Sequence, residues 1–385
     1  MDFHPSADEL RIRDIARSYA AEILAAHADS HAHGAFPTER MPEMGERGLL
    51  GLKLAPARGG LGGSTVAWVL ALREIAEVCA STAVAVAVTN MVAEMIDRFG
   101  DDDQKDRWLP EITSGRFLAA SFALSEADAG SDAAALSTRA VRQVDGSYRL
   151  SGTKMWITSG DVAGVVLLMA KTDPSAGAHG ITTFLVDPRA AGFQVGRQEA
   201  KLGLRGSTTV SLTLDNVAVP ACDVLGDEGL GFRIAMTALD GGRCSIGAQA
   251  VGIGHAALRS VVQRLDHERR SVDRAAGISQ MQDFRIAEMA TSLEAAWWLT
   301  LRAAWLKDTG RRMSREAAMA KVMASEAADE VCRKAVEVLG PAALAADDPV
   351  SRRLRDVRVT RIYEGTSQVQ RIVIARELIR AQGPT

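Results

Sequence analysis

Apolar residues recur at helical spacing from about Ser6 to Gly115, then switch near Phe117 to short alternating or β-branched runs that last to about Pro220. After Gly229-Leu230-Gly231-Phe232 the helical spacing returns and continues to the end. Residues three and four apart share a helix face and alternate residues share a strand face, so a change of period marks a change of architecture. Ser6 reads as the N-cap of the first helix, with Glu9 as its capping-box partner. The interruption Arg58-Gly59-Gly60-Leu61-Gly62-Gly63 reads as a flexible connector; no Lys-Ser or Lys-Thr follows it, which argues against a phosphate cradle. In the middle zone, Arg142-Gln143-Val144 and Tyr148-Arg149-Leu150 flank Asp145-Gly146-Ser147, a hairpin signal. The runs Val165–Met169, Ile181–Val186 and Thr209–Leu214 read as further strands. They do not alternate with helices, so an antiparallel sheet or barrel is expected. A long helix is expected from Ile234 to Arg270. The pattern predicts a mostly α protein with a central antiparallel β domain, divided at residues 1–116, 117–227 and 228–385.

Composition narrows the possibilities only a little. A length of 385 residues allows two or three domains, and 24% charged residues with a net charge of −3 give no overall attraction for nucleic acid. The local cluster Arg352, Arg353, Arg355, Arg358 and Arg361 is interleaved with Asp347, Asp348, Asp356 and Glu364, so it reads as a solvated or subunit-facing helix surface. Cys79, Cys222, Cys244 and Cys332 are scattered and suit reduced thiols. The first residues lack the pattern of a signal peptide, and the apolar run Ala80–Ile96 carries Ser81, Thr82, Asn90 and Glu94, unlike a membrane span. A cytoplasmic protein is expected, with Glu94 facing solvent.

Several formal motifs lack their context. Val251-Gly252-Ile253-Gly254-His255-Ala256-Ala257 fits a dinucleotide fingerprint but sits in a helical run with no strand before it; small residues for close helix packing explain it better. Ser151-Gly152-Thr153-Lys154 fits a Ser-x-x-Lys pattern without its partner motifs. The histidines include no pair at zinc-binding spacing with a carboxylate, so no metal is expected.

Three segments carry more. Phe122-Ala123-Leu124-Ser125-Glu126-Ala127-Asp128-Ala129-Gly130-Ser131-Asp132 ends a strand in small and hydroxyl residues able to offer donors to a flat heterocycle or phosphate. Lys154-Met155-Trp156-Ile157-Thr158-Ser159-Gly160 adds an indole and a hydroxyl. Tyr363-Glu364-Gly365-Thr366-Ser367-Gln368 sets a carboxylate beside a glycine, where flanking Tyr and apolar residues can desolvate the acid and raise its pKa.

Taken in order, these segments resemble the acyl-CoA dehydrogenase family over essentially the whole chain. The resemblance implies an N-terminal helical domain, a β-barrel-like middle domain and a C-terminal four-helix bundle. It implies FAD as cofactor and α,β-dehydrogenation of an acyl thioester. Phe122 belongs to the segment resembling the flavin loop and would bind the cofactor, Leu124 and Ser125 would lie along the flavin ring, and Ser131 would be shared between FAD and substrate. Trp156 would lie against the ring and Thr158 near its N5. Asp240 and Arg243 resemble the substrate-side segment, Arg243 meeting the adenylate end of CoA. Arg269, Ser271 and Gln280 resemble residues that reach the FAD of a neighbouring subunit. Glu337 and Gly340 would face the adenine-ribose half of FAD, where the family usually has an amide and a Gly-Gly pair; here Glu337 and Pro341 depart from it. A further departure is Val272-Asp273, where the family commonly has Phe and Gly. The segment Lys201–Ser207 is expected to belong to the β-domain scaffold.

By the same resemblance Glu364 is the α-proton base and flavin N5 the hydride acceptor, with Thr366 and Gln368 contacting FAD and Tyr363 and Gly365 the substrate. Some members carry the base on the helix near Asp240–Arg243; Gly242 stands there in this chain and cannot serve. The Glu364 N–H would help hold the thioester oxygen. Electrons would pass to an electron-transfer flavoprotein, and a homotetramer or homodimer is implied. A carrier-protein thioester as substrate, an acyl-CoA oxidase using oxygen, and a non-catalytic acyl-CoA-binding scaffold stay open as alternatives.

Overall fold

The computed structural model describes residues 4–26, 34, 36–271 and 280–382, with the backbone alone for 269–271. Helix α1 (Ala7–Tyr19) starts at Ser6, whose hydroxyl accepts from the Glu9 N–H while the Glu9 carboxylate accepts from the Ser6 N–H. This is the reciprocal cap expected of the sequence. Helices α2 (Arg40–Glu46), α3 (Thr65–Val78), α4 (Ala80–Phe99) and α5 (Asp102–Thr113) follow. The glycine loop before α3 connects helices but is not loose. Gly62 and Gly63 donate to the Leu54 and Leu52 carbonyls at 2.8 and 2.9 Å, and a Cβ on Gly60 would lie 2.1 Å from the Leu54 oxygen. Close backbone approach is what these glycines provide.

The strands are β1 (Ala119–Ala123), β2 (Arg139–Arg142), β3 (Tyr148–Thr158), β4 (Ala163–Lys171), β5 (Ile181–Val186), β6 (Phe193–Gln198), β7 (Thr209–Val219) and β8 (Val224–Leu225). They form one sheet in the order β6-β7-β3-β2-β4-β5-β8, with β1 paired to β4 off this path. The expected hairpin is present, Arg142 opposite Tyr148. The sheet is antiparallel except at β4, which runs parallel to β1 and shares one parallel bridge with β2. β4 and β5 are mostly apolar and buried because both faces are covered, with Thr182 and Thr183 the polar residues inside β5. Val165, Leu167, Met169 and Leu185 face the helices, while Val166, Leu168, Phe184 and Val186 face a second core across the sheet.

The C-terminal helices are α6 (Gly231–Ser271), α7 (Gln280–Asp308), α8 (Ser314–Leu339), α9 (Pro349–Val357) and α10 (Ser367–Arg380). Gly252 and Gly254 let neighbours approach α6: a Cβ there would lie 2.7 Å from the Arg73 carbonyl oxygen and 2.6 Å from a Leu293 methyl. The helices before and after the sheet share a single continuous core, in which Trp68 and Leu72 of α3 join Val251 of α6 and Leu293 of α7. Helix α4 packs on β1 on one side and on α6 on the other, which brings the end of the sheet and the C-terminal helices to a common region.

One expectation changes and two gain detail. Glu94 does not face solvent; it sits between Lys53 and Lys307, the latter at 2.6 Å. Burial alone would raise its pKa, but the two ammonium groups hold it down at about 2. The arginine cluster stays partly exposed while pairing with neighbouring groups: Arg358 and Arg361 share Asp329 at 2.6 and 3.0 Å, and Arg353 donates to the Glu77 carbonyl. The Lys201–Ser207 loop does more than serve the sheet, because its Leu204 N–H donates to Asp356 of α9 at 2.6 Å and a Cβ on Gly203 would meet the Arg355 carbonyl.

Candidate active site

One half of the site is a ledge on the sheet. β3 alternates its faces up to Lys154 and then slips: its register against β7 shifts between Lys154 and Ile157, and Trp156 takes a left-handed φ of 58°. Such a bulge re-aims a side chain. It leaves Lys154 and Ile157 buried and turns Trp156 outward, 51% exposed. The loop after β1 comes close to the indole, since a Cβ on Gly130 would lie 4.0 Å from it. Beneath the loop, the buried Lys154 ammonium donates to the Leu124 carbonyl at 3.1 Å and to Glu126 at 2.9 Å. Glu126 also accepts from the N–H and hydroxyl groups of Ser137 and Thr138, between 2.5 and 3.0 Å. Burial would raise Glu126, yet Lys154 and these donors hold it at about 2. Met155 donates to the Ser125 carbonyl at 2.9 Å, tying the two predicted segments together. Leu124, Ser125 and Trp156 therefore share one support. Thr158 ends β3, its carbonyl accepting from Ser121 at 2.8 Å. Phe122 is half-buried on β1 and Ser131 is exposed on the loop.

The other half is the turn into α10. Glu364 and Gly365 both take positive φ, 54° and 87°. For a glutamate this is an uncommon, strained conformation that neighbours must maintain. Gln370 donates to both carbonyls, at 3.1 and 2.9 Å, and Lys321 of α8 donates to the Gly365 carbonyl at 2.9 Å. Thr366 caps α10 by accepting from Val369. The Glu364 carboxylate lies on α6, where a Cβ on Gly242 would fall 2.5 Å from its Oε2. Oε2 is buried without a hydrogen-bond partner. Burial pushes Glu364 up to about 7 against the pull of Arg243 and then Lys321. That value suits a general base near neutral pH. Tyr363 donates its hydroxyl to Gln249, which in turn donates to the Ala80 carbonyl at the start of α4.

Arg243 is 6% exposed, pairs with Asp240, and acts on the Glu364 charge. Asp240 in turn accepts from the Ser314 hydroxyl at 2.7 Å. Other expected residues lie apart from both halves. Glu337 is on the exposed end of α8, 3.8 Å from Arg285, and Gly340 ends that helix with φ 69°. Gln280 begins α7 and is exposed; Gln368, also exposed, belongs instead to the second half, in the first turn of α10. The side chains of Arg269 and Ser271, and the Val272-Asp273 departure, lie outside the described residues.

Two buried lysines were missed. Lys154 shares the inward parity of Tyr148 and Leu150, and Lys321 falls on the stripe of Ala317, Ala320, Ala324 and Ala328, all buried. A lysine on an apolar face was the available signal.

Comparison with known proteins gives consistent matches. Residues 6–116, 121–217 and 229–379 match the descriptions of the acyl-CoA dehydrogenase N-terminal, middle and C-terminal domains. The chain is 40% identical over 380 residues to an acyl-CoA dehydrogenase of Bacillus subtilis (strain 168), covering 98% of this chain and 99% of that one. It superposes on butyryl-CoA dehydrogenase from Megasphaera elsdenii with a TM-score of 0.94 and 35% identity, over 99% of this chain and 100% of that one. A structure described as the electron transferring flavoprotein of Acidaminococcus fermentans also aligns with a TM-score of 0.94, at 37% identity over 99% of this chain and 100% of that one.

Proposed function

The chain belongs to the acyl-CoA dehydrogenase family, and we propose that it desaturates a short-chain acyl-CoA between Cα and Cβ with Glu364 as the α-proton base. It is an oxidoreductase that uses FAD. The residues on the sheet ledge fit that cofactor. Trp156 offers an exposed flat ring, held outward by the bulge, and Ser159 has a buried hydroxyl with no partner among the described residues. Leu124, Ser125, Trp156 and Thr158 would hold the flavin ring. When bound, FAD supplies the hydride acceptor.

The chain itself handles the proton. An α-proton of a thioester is weakly acidic, so removal needs both a base and stabilisation of the charge that develops on the thioester oxygen. Glu364 provides the first, because burial raises its proton affinity while leaving a substantial ionised fraction near pH 7. Its backbone N–H provides the second: it donates to nothing among the described residues and is free to meet the oxygen. One such donor contributes about 3 kcal/mol. Gly242 leaves room for the carboxylate, and the left-handed turn aims it. The orphaned Oε2 of Glu364 is the observation that carries this reading.

The short-chain assignment follows the butyryl-CoA dehydrogenase likeness. We assign an electron-transfer flavoprotein as acceptor, in keeping with the other structural likeness. Exposed Trp298 and Trp305 on α7 and Ile372 and Ile379 on α10 favour a homo-oligomer, a tetramer or dimer. No described helix is long and apolar enough to cross a membrane, and the cysteines are free, in keeping with a cytoplasmic enzyme. Anaerobic titration with C4 to C16 acyl-CoAs, read at the oxidised flavin band, tests the reaction. Bleaching by butyryl-CoA is expected; a flavin unchanged by every acyl-CoA would overturn it.

A further inference from the structure

Lys321 has no part in the reaction as derived above, yet it is fully buried and donates to the Gly365 carbonyl instead of to a carboxylate. It stands among buried alanines of α8, where an apolar side chain would pack without the cost of burying an ammonium group. The turn at Gly365 does not need a charge for its geometry, since the neutral amide of Gln370 already donates to both of its carbonyls. What a lysine adds is positive charge next to Glu364. The other cation near that carboxylate, Arg243, exerts the larger pull and also pairs with Asp240, so the Lys321 charge adds to it.

We propose that Lys321 is a positioning residue for the base: its ammonium pins the Gly365 carbonyl and supplies the charge that keeps Glu364 ionised enough to take a proton. This rests on Glu364 being the base. The charged groups facing the pair are Arg243 from α6, Glu326 from α8 itself, and Arg361 from the turn before Glu364. Glu326 is engaged by Arg371 at 2.6 Å, which leaves Glu364 as the carboxylate that the Lys321 charge chiefly serves. Burial pushes Lys321 down and Glu364 up, so the two titration ranges move toward each other.

The test is a pH titration of the Glu364 carboxylic-acid band by infrared difference spectroscopy of the FAD-loaded protein, the band being identified by its loss in Glu364→Gln. Lys321→Gln keeps a donor without the charge, Lys321→Met removes both, and Lys321→Arg keeps both. The midpoint should rise by about one pH unit in the Gln and Met variants, and return toward wild type in the Arg variant. Flavin content should stay unchanged, and the acid limb of flavin bleaching should move with the band. An unshifted midpoint in Lys321→Gln overturns the proposal. The unmutated protein gives an independent check: overlapping titration of the two groups should broaden the Glu364 curve beyond one proton. A sharp one-proton curve contradicts the coupling. If Glu364→Gln turns over normally, Glu364 is not the base, while the band shift still reports whether Lys321 sets its protonation.

Discussion

The chain buries a glutamate near a lysine in both halves of the site, with opposite results. On the sheet ledge, Lys154 bonds the Glu126 carboxylate directly and four donors from Ser137 and Thr138 complete its shell, so the acid is held at about 2. At the turn into α10, Lys321 bonds a backbone carbonyl, Glu364 keeps an unpartnered oxygen, and the acid rises to about 7. Burial acts in the same direction on both. The Lys154 charge held directly against Glu126, and after it the surrounding donors, decide the outcome: a paired and satisfied carboxylate is a structural anion, and an unsatisfied one is available to take a proton.

Substitutions should separate the two roles. Glu364→Gln should retain flavin and bind product while lowering the rate of flavin reduction by about 10⁴-fold, measured by anaerobic stopped flow; a near-normal rate would remove Glu364 from the chemistry. Glu126→Gln should instead destabilise the fold by about 3–5 kcal/mol, because it leaves the Lys154 ammonium buried without its counter-charge. Denaturant unfolding checks this. The sign with pH follows from the depressed pKa: the Glu126 contribution is present above its ordinary value of 4.5 and is lost as pH falls toward about 2. Glu126→Gln should therefore flatten the wild-type loss of stability over that window.

Smaller effects sharpen the contrast. Gly242→Ala should improve helix propensity yet cost roughly 10–100-fold in flavin reduction, since its methyl would occupy the carboxylate's place 2.5 Å away. Equal rates in the two proteins would mean that the carboxylate works from another position. Trp156→Ala should weaken FAD retention about tenfold with little change in the pH dependence of the remaining activity. Equilibrium dialysis of the apoprotein with FAD measures the first, and a displaced acid limb would link the ledge to the base.

Much of this was legible in the sequence because the signals were local. The change of hydrophobic period at Phe117, the Ser6–Glu9 cap and the Asp145-Gly146-Ser147 turn each depend on residues a few positions apart. The Glu364 segment was legible through its resemblance to a family. The polar interior was not. Glu94 meets Lys53 and Lys307 from 41 and 213 residues away, and Lys321 meets Gly365 from 44. Such pairings depend on tertiary packing that periodicity does not encode. The Trp156 bulge is hidden for a related reason: strict alternation predicts which face a strand residue takes, and a slipped register breaks that parity without a local warning. Arg243 shows the same limit, since nothing local to it signals its burial or its influence on the Glu364 carboxylate.

The most direct test is the rate of anaerobic flavin reduction by butyryl-CoA, measured from pH 5 to 9. With Glu364 raised to about 7, the rate should climb tenfold per unit on the acid side and level off above that midpoint. A rate independent of pH across the range, or an acid limb that persists in Glu364→Gln, would contradict a buried, unsatisfied carboxylate as the base.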